Sequence, residues 1–189
     1  MITLTTNLIK SLKKHRSSLL VSSVLISQFN LVHADANYDV EVWQPAFDMA
    51  SPRTQMQYER LDKAQQKWDI CVSFPHMKDA YWTAVNYGIV SEAKRLGVKM
   101  QLVEAGGYTN LSKQISQIED CISSGADALV VGAISYDGLN NVIKEAKQSG
   151  IPVIDIINGV SSQDIAAKSL VSFGEMGFKA GEYLAKLHP

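Results

Sequence analysis

Two cysteines and four histidines occur in 189 residues, and 18 basic side chains stand against 19 acidic ones. That scarcity excludes several classes at once. Structural and catalytic metal sites need closely spaced ligands, and His15, His33, His76 and His188 are scattered. His76 alone follows an apolar run, and it reads as a solvated loop residue rather than a catalyst or ligand. The dinucleotide pattern G-x-G-x-x-G, the phosphate-cradling G-x-x-x-x-G-K-[ST] and the nucleophile elbow G-x-S-x-G are all missing. No apolar run is long enough to cross a bilayer. Gly106-Gly107 remains as a turn before a helix. These absences favour binding over catalysis and imply no cofactor.

Charge is unevenly distributed. Residues 1–34 hold Lys10, Lys13, Lys14 and Arg16 and no acid, followed by a moderately apolar stretch from Leu19 to Leu31. Val32-His33-Ala34 or Ala34-Asp35-Ala36 then offers small-residue cleavage. That order reads as a signal peptide over residues 1–34 and predicts a periplasmic protein. The competing reading is an amphipathic helix, because Ser22, Ser23, Ser27 and Gln28 interrupt the apolar core. Without those 34 residues, 14 basic side chains face 19 acidic ones, a net charge of −5. An acidic domain suits nucleic acid poorly, since phosphate neutralisation needs clustered Lys and Arg.

Residues 35–67 read as an N-terminal extension broken by Pro45 and Pro52. A short strand is expected over Tyr38–Trp43, where apolar and polar residues alternate. Residues 54–67 are compatible with a helix of thin apolar face. Regular alternation begins at Trp68. Ile70–Phe74 reads as a strand, and Asp79 caps a helix that runs to Leu96 and ends on Gly97. Val98–Ala105 is the second strand. Leu111, Ile115, Ile118 and Ile122 line one face of the next helix. Ala128–Ala133 is apolar throughout, as a buried parallel strand must be. Asp137 is placed as the cap of a helix ending at Gly150, Ile151–Ile157 as the fourth strand, Leu170–Phe173 as the fifth, and Glu175–Leu187 as the last helix. The rhythm predicts an α/β fold: a doubly wound parallel sheet in three α/β/α layers, with strand order 2-1-3-4-5 counted from Ile70.

Cys71 and Cys121 admit two readings. If the order is 2-1-3, the helix carrying Cys121 crosses the strand carrying Cys71, which permits a disulfide. Two separate buried thiols are the alternative.

Open parallel sheets bind ligands beyond the carboxyl ends of their strands. The residues there include Asp79, Tyr81, Trp82, Tyr108, Tyr136, Asn158 and Phe173. The five aromatics suit either a sugar or a substituted ammonium group beside a carboxylate. Asp79, Tyr81, Trp82, Tyr108 and Phe173 are taken as ligand-binding, with Tyr136 and Asn158 as further candidates. For Tyr81 and Trp82, ordinary packing of a first helical turn competes with the binding reading.

At these residues the chain resembles the type I periplasmic binding proteins, and most nearly the branch that senses trimethylamine N-oxide. Lys78-Asp79-Ala80-Tyr81-Trp82, Asn86-Tyr87-Gly88, Glu104-Ala105-Gly106-Gly107-Tyr108, Gln114 to Cys121, Met176-Gly177 and Gly181-Glu182-Tyr183-Leu184 carry the likeness over residues 68–184. The resemblance implies two lobes about a hinge; residues 68–189 read as the amino-terminal lobe, and the sequence departs from the family in lacking the second. It also implies a small-molecule ligand between the lobes, a methylamine oxide, and the periplasmic domain of a membrane sensor kinase as partner. Phe173 stands where the resemblance leads one to expect Trp. A sugar-binding protein of a transport or chemotaxis system is the alternative, although sugar sites favour polar fork residues and this rim has no Arg. A repressor core of similar fold would need an N-terminal helix-turn-helix in place of residues 1–34.

Overall fold

The computed structural model describes residues 37–188, so the signal-peptide reading lies outside the described residues. The chain opens with an antiparallel hairpin, β1 (Asn37–Trp43) and β2 (Arg53–Glu59), paired from Asn37↔Glu59 to Trp43↔Arg53. The helix considered for residues 54–67 is therefore corrected to a strand over Arg53–Glu59. Thr54, Met56 and Tyr58 alternate with Gln55, Gln57 and Glu59, and a period of two suits a pleat. Arg95 ties the hairpin's exit to the first helix, donating to the carbonyls of Leu61 and Asp62 while pairing with Glu92. Arg60 reaches the same Glu92 at 2.9 Å.

The remaining strands are β3 (Asp69–Phe74), β4 (Lys99–Glu104), β5 (Ala128–Gly132), β6 (Val153–Ile157) and β7 (Ala167–Leu170). All their pairings are parallel and their spatial order is β4-β3-β5-β6-β7, the order the sequence implies. Helices α1 (Ala80–Leu96), α2 (Leu111–Ser123), α3 (Asn140–Gln148) and α4 (Phe173–Leu187) follow their strands.

Strand alternation divides the core into two layers. Cys71, Leu129, Val131 and Val153 face α2 and α3, where Ile118, Val142, Ile143 and Ala146 bury against them. Val72 and Phe74 face α1 and pack with Trp82, Val85 and Ile89. Cys71 and Cys121 form a disulfide with Cα atoms 6.2 Å apart, joining β3 to α2.

Two boundaries differ from expectation. The last strand ends at Leu170, so Phe173 opens α4 instead of closing a strand. Asp137 does not cap α3: Leu139 holds the cap position without a side-chain bond, and Asp137 accepts from the Ser161 hydroxyl at 2.6 Å. No residue of α4 is buried.

Candidate functional site

The site forms where β3, β4, β5 and β6 end. Beyond β3, Asp79 adopts an extended backbone and its Oδ1 accepts from Trp82 N at 2.9 Å, which starts α1. That cap fixes Tyr81 and Trp82 in the first turn. Trp82 turns inward and is only 2% exposed, with its ring centroid 4.8 Å from that of Phe74. It lies across Gly132, where a Cβ would stand 2.5 Å from the indole, so the strand needs glycine there. Tyr81 meets Trp82 edge-on at 5.8 Å and remains 43% exposed. Burial, then the neighbouring Tyr108 phenol, pushes the Tyr81 phenol above its ordinary value.

Beyond β4 the chain turns sharply through Gly106 (φ 89°) and Gly107 (φ 149°), conformations that favour glycine. The Gly107 amide donates to the Pro75 carbonyl at 2.8 Å, so the turn leans on the β3 exit. Tyr108 is delivered beside His76, edge-on at 5.3 Å. Its hydroxyl oxygen accepts from Trp82 Nε1 at 3.3 Å and from Asn158 Nδ2 at 3.2 Å. Two donors occupy that oxygen's two acceptor positions, which leaves its own proton to be donated elsewhere. Asn158 is fixed in turn by donating to the Ala133 carbonyl at 2.8 Å.

The structure thus brings Asp79, Tyr81, Trp82, Tyr108 and Asn158 into one hydrogen-bonded and stacked group. Tyr136 stands half-exposed beside Gly159, next to Asn158. Phe173 is 55% exposed, and the described aromatic contacts at the rim do not include it.

Sequence reasoning missed three supports of this rim. Gln114 is fully buried; it donates to Ser73 Oγ and the Gly132 carbonyl and accepts from Ile134 N, binding α2 to β3 and the end of β5. His76, read as a solvated loop residue, has a side chain only 12% exposed, with Nε2 3.8 Å from Asp79 Oδ2. Asp155 and Lys168 form a buried ion pair at 3.4 Å. Burial, opposed by the Val160 amide and Lys168, pushes the Asp155 carboxyl up. The available hint was an Asp inside the apolar run Val153–Ile157, since a buried charge needs a partner.

A second concavity lies at the opposite, amino-terminal strand edge, lined by Trp68, Ala126, Asp127, Gly150 and Pro152 among others. Asp127 there is already bonded to the Asp69 amide at 2.7 Å, so that hollow offers little unspent chemistry.

Residues 70–189 match the model of the periplasmic binding protein domain. The chain belongs to that family. A solute-binding protein of an ABC transporter from Bradyrhizobium sp. BTAi1, solved with bound bis-tris, is 61% identical with a TM-score of 0.75, covering 80% of this chain and 46% of that one. Periplasmic protein TorT of Escherichia coli K12 is 34% identical over 124 residues, 66% of this chain and 35% of TorT. In the complex of TorT with the TorS sensor domain, solved in the presence of TMAO, the likeness is 36% identity and a TM-score of 0.59, covering 65% of this chain and 43% of that one. The D-xylose-binding periplasmic protein of E. coli K12 is 41% identical over 99 residues, 51% of this chain and 28% of that protein. The chain spans less than half the length of each of these relatives.

Proposed function

We propose that this chain supplies one wall of the ligand site of an exported two-lobed binding protein. The ligand is a small methylated amine oxide, trimethylamine N-oxide being the best fit, and the partner is the periplasmic domain of a membrane sensor kinase. The role is binding and signalling, with no catalysis and no cofactor. The extension over 35–67 and the lobe from 68 onward follow a signal peptide over 1–34 in this reading. Protein recovered from the periplasm should then begin near Asp35 or Asn37, and retention of Met1 would contradict export.

The observation that carries the reading is the Tyr81–Trp82–Tyr108 group beside Asp79, with the Tyr108 hydroxyl left as a donor. The N-oxide presents a positive nitrogen under three methyl groups and one anionic oxygen. Aromatic faces attract the methyl surface without asking hydrogen bonds of it, and the phenol proton meets the oxygen. Trp82 acts mainly from beneath, packing the floor and orienting Tyr108, while Tyr81 and Tyr108 present exposed rings. Phe173 and Tyr136 extend the wall in this reading. The TorT likeness, with its complex solved with the TorS sensor domain in the presence of TMAO, supports the same ligand class and a sensor-domain partner. The bis-tris in the Bradyrhizobium relative is itself a substituted amine.

The second reading is a sugar, favoured by the D-xylose-binding relative and by the amide of Asn158 at the rim. Calorimetric titration of the intact protein separates the two. Saturable binding of trimethylamine N-oxide with none of D-xylose is expected; xylose binding without N-oxide binding reverses the assignment.

A further inference from the structure

The segment that carries Asn158 is held in an unusual way. Ile157 closes β6 with φ 68°, a left-handed conformation that a β-branched residue adopts only where its surroundings impose it. Gly159 follows at φ 86°. Just beyond, Val160 is fully buried, and both ends of its backbone are gripped by side chains. Its N–H donates to Asp155 Oδ2 at 2.9 Å, and its carbonyl accepts from Lys168 Nζ at 2.7 Å. Asp155 is 0% exposed, the Lys168 side chain is 3% exposed, and the two are ion-paired at 3.4 Å. The second carboxylate oxygen, Oδ1, is buried without a hydrogen-bond partner.

A buried ion pair is a weak source of stability, because desolvation offsets most of its attraction. An apolar pair of similar size would fill the same space. The charged pair does something apolar residues cannot: it fixes the backbone on either side of Val160. The residues enclosed between Asp155 and Val160 are the ones that set Asn158, and Asn158 reaches both the Ala133 carbonyl and the Tyr108 hydroxyl.

We propose that the Asp155–Lys168 pair is a positioning device for the ligand rim: by clasping Val160 it holds Ile157 in its left-handed conformation and keeps Asn158 on the Tyr108 oxygen. Asp155 and Lys168 touch no ligand. They act through Asn158 to keep the Tyr108 proton pointed outward, and so favour ligands that carry an acceptor oxygen. The inference rests on the ligand class proposed above, and its test has one arm that needs no ligand.

The variant is Asp155→Leu/Lys168→Met in the intact protein, which replaces the pair by apolar residues. The thermal midpoint should fall, because the buried Val160 N–H and carbonyl lose their partners, and binding is compared well below it. Affinity for trimethylamine N-oxide should fall at least tenfold. Affinity for tetramethylammonium, which has the methylated cation and no oxygen, should change less than about twofold. The indole N–H resonance of Trp82 in an ¹⁵N spectrum should move, because Tyr108 loses its second donor; Trp43 and Trp68 are the only other indoles in the chain. Unchanged N-oxide affinity with an unmoved Trp82 resonance overturns the proposal. Should the double variant unfold, Lys168→Arg keeps the charge and displaces the donor. It should shift the same resonance and weaken N-oxide binding at least threefold, and no change in either overturns the proposal. If the parent binds neither the oxide nor the ammonium ion, the ligand assignment fails. The clasp is then decided by the resonance alone, movement supporting it and constancy overturning it.

Discussion

On one face of the five-stranded sheet, Leu129, Val131 and Val153 are at most 1% exposed beneath α2 and α3. On the other, Val130, Ile154 and Ile156 remain half-buried, and α1 packs against β4 at the far end. α4, which follows the last strand, buries none of its residues and presents Phe173, Met176, Tyr183, Leu184 and Leu187 to solvent. One face is thus completed by local βα units, which bury apolar area as they form. The other keeps apolar surface without cover among the described residues. The rim draws on both faces: Gln114 and the disulfide anchor α2 behind Tyr108, while Trp82 on α1 packs over Gly132 on the other.

The largest expected effect tests that anchoring. Cys71→Ala/Cys121→Ala opens the β3–α2 link across a separation of 50 residues and should cost about 4 kcal/mol by the chain-entropy estimate. Denaturant titration reads it, and a loss below about 1 kcal/mol would show that packing alone holds α2. Next, Leu129→Ala on the covered face should cost about 3 kcal/mol, and Ile154→Ala on the open face less than half of that. Equal losses would erase the contrast between the faces. Tyr183→Ala on α4 should stay within about 0.5 kcal/mol, as for a surface side chain without partners. A large loss would place α4 in the core.

The smallest effect concerns the hairpin. Glu92 bonds Arg95 and Arg60, and these partners hold its carboxyl below the ordinary 4.5. A carboxylate with a depressed folded-state pKa stabilises the fold above its unfolded value and loses that contribution as pH falls through the folded one. Glu92→Gln should therefore be slightly less stable than the parent at pH 7, and the difference should vanish as pH falls below about 4.5. A difference that persists at pH 3 would show that the ion pairs are not its source.

Much of this architecture is legible in the sequence because its signals are periodic. The apolar run at Ala128–Gly132, the helical spacing of Leu111, Ile115, Ile118 and Ile122, and the Asp79 and Gly97 caps give the elements and their order. The hairpin is less legible. Every residue of β2 is exposed, so no buried face marks its period. At the site, aromatic residues after strand ends are visible in the sequence, but their depth is not. Trp82 reads equally as wall or core, and only the missing Cβ of Gly132 shows why the indole lies down on the sheet. The Asp155–Lys168 clasp joins two strands through a backbone group, and no local pattern encodes such a contact.

The contrast between the anchored rim and the uncovered helix meets the functional reading in one pair of aromatics. Tyr108 has two donors on its hydroxyl, and Tyr183 is 64% exposed on α4. Trimethylamine N-oxide affinity, measured by calorimetry on the intact protein for Tyr108→Phe, Tyr108→Ala and Tyr183→Ala, separates the two. A loss of at least tenfold is expected for Tyr108→Ala, about 1.4 kcal/mol or more, a severalfold loss for Tyr108→Phe, and none for Tyr183→Ala. Unchanged affinity in a folded Tyr108→Ala protein would contradict the functional reading.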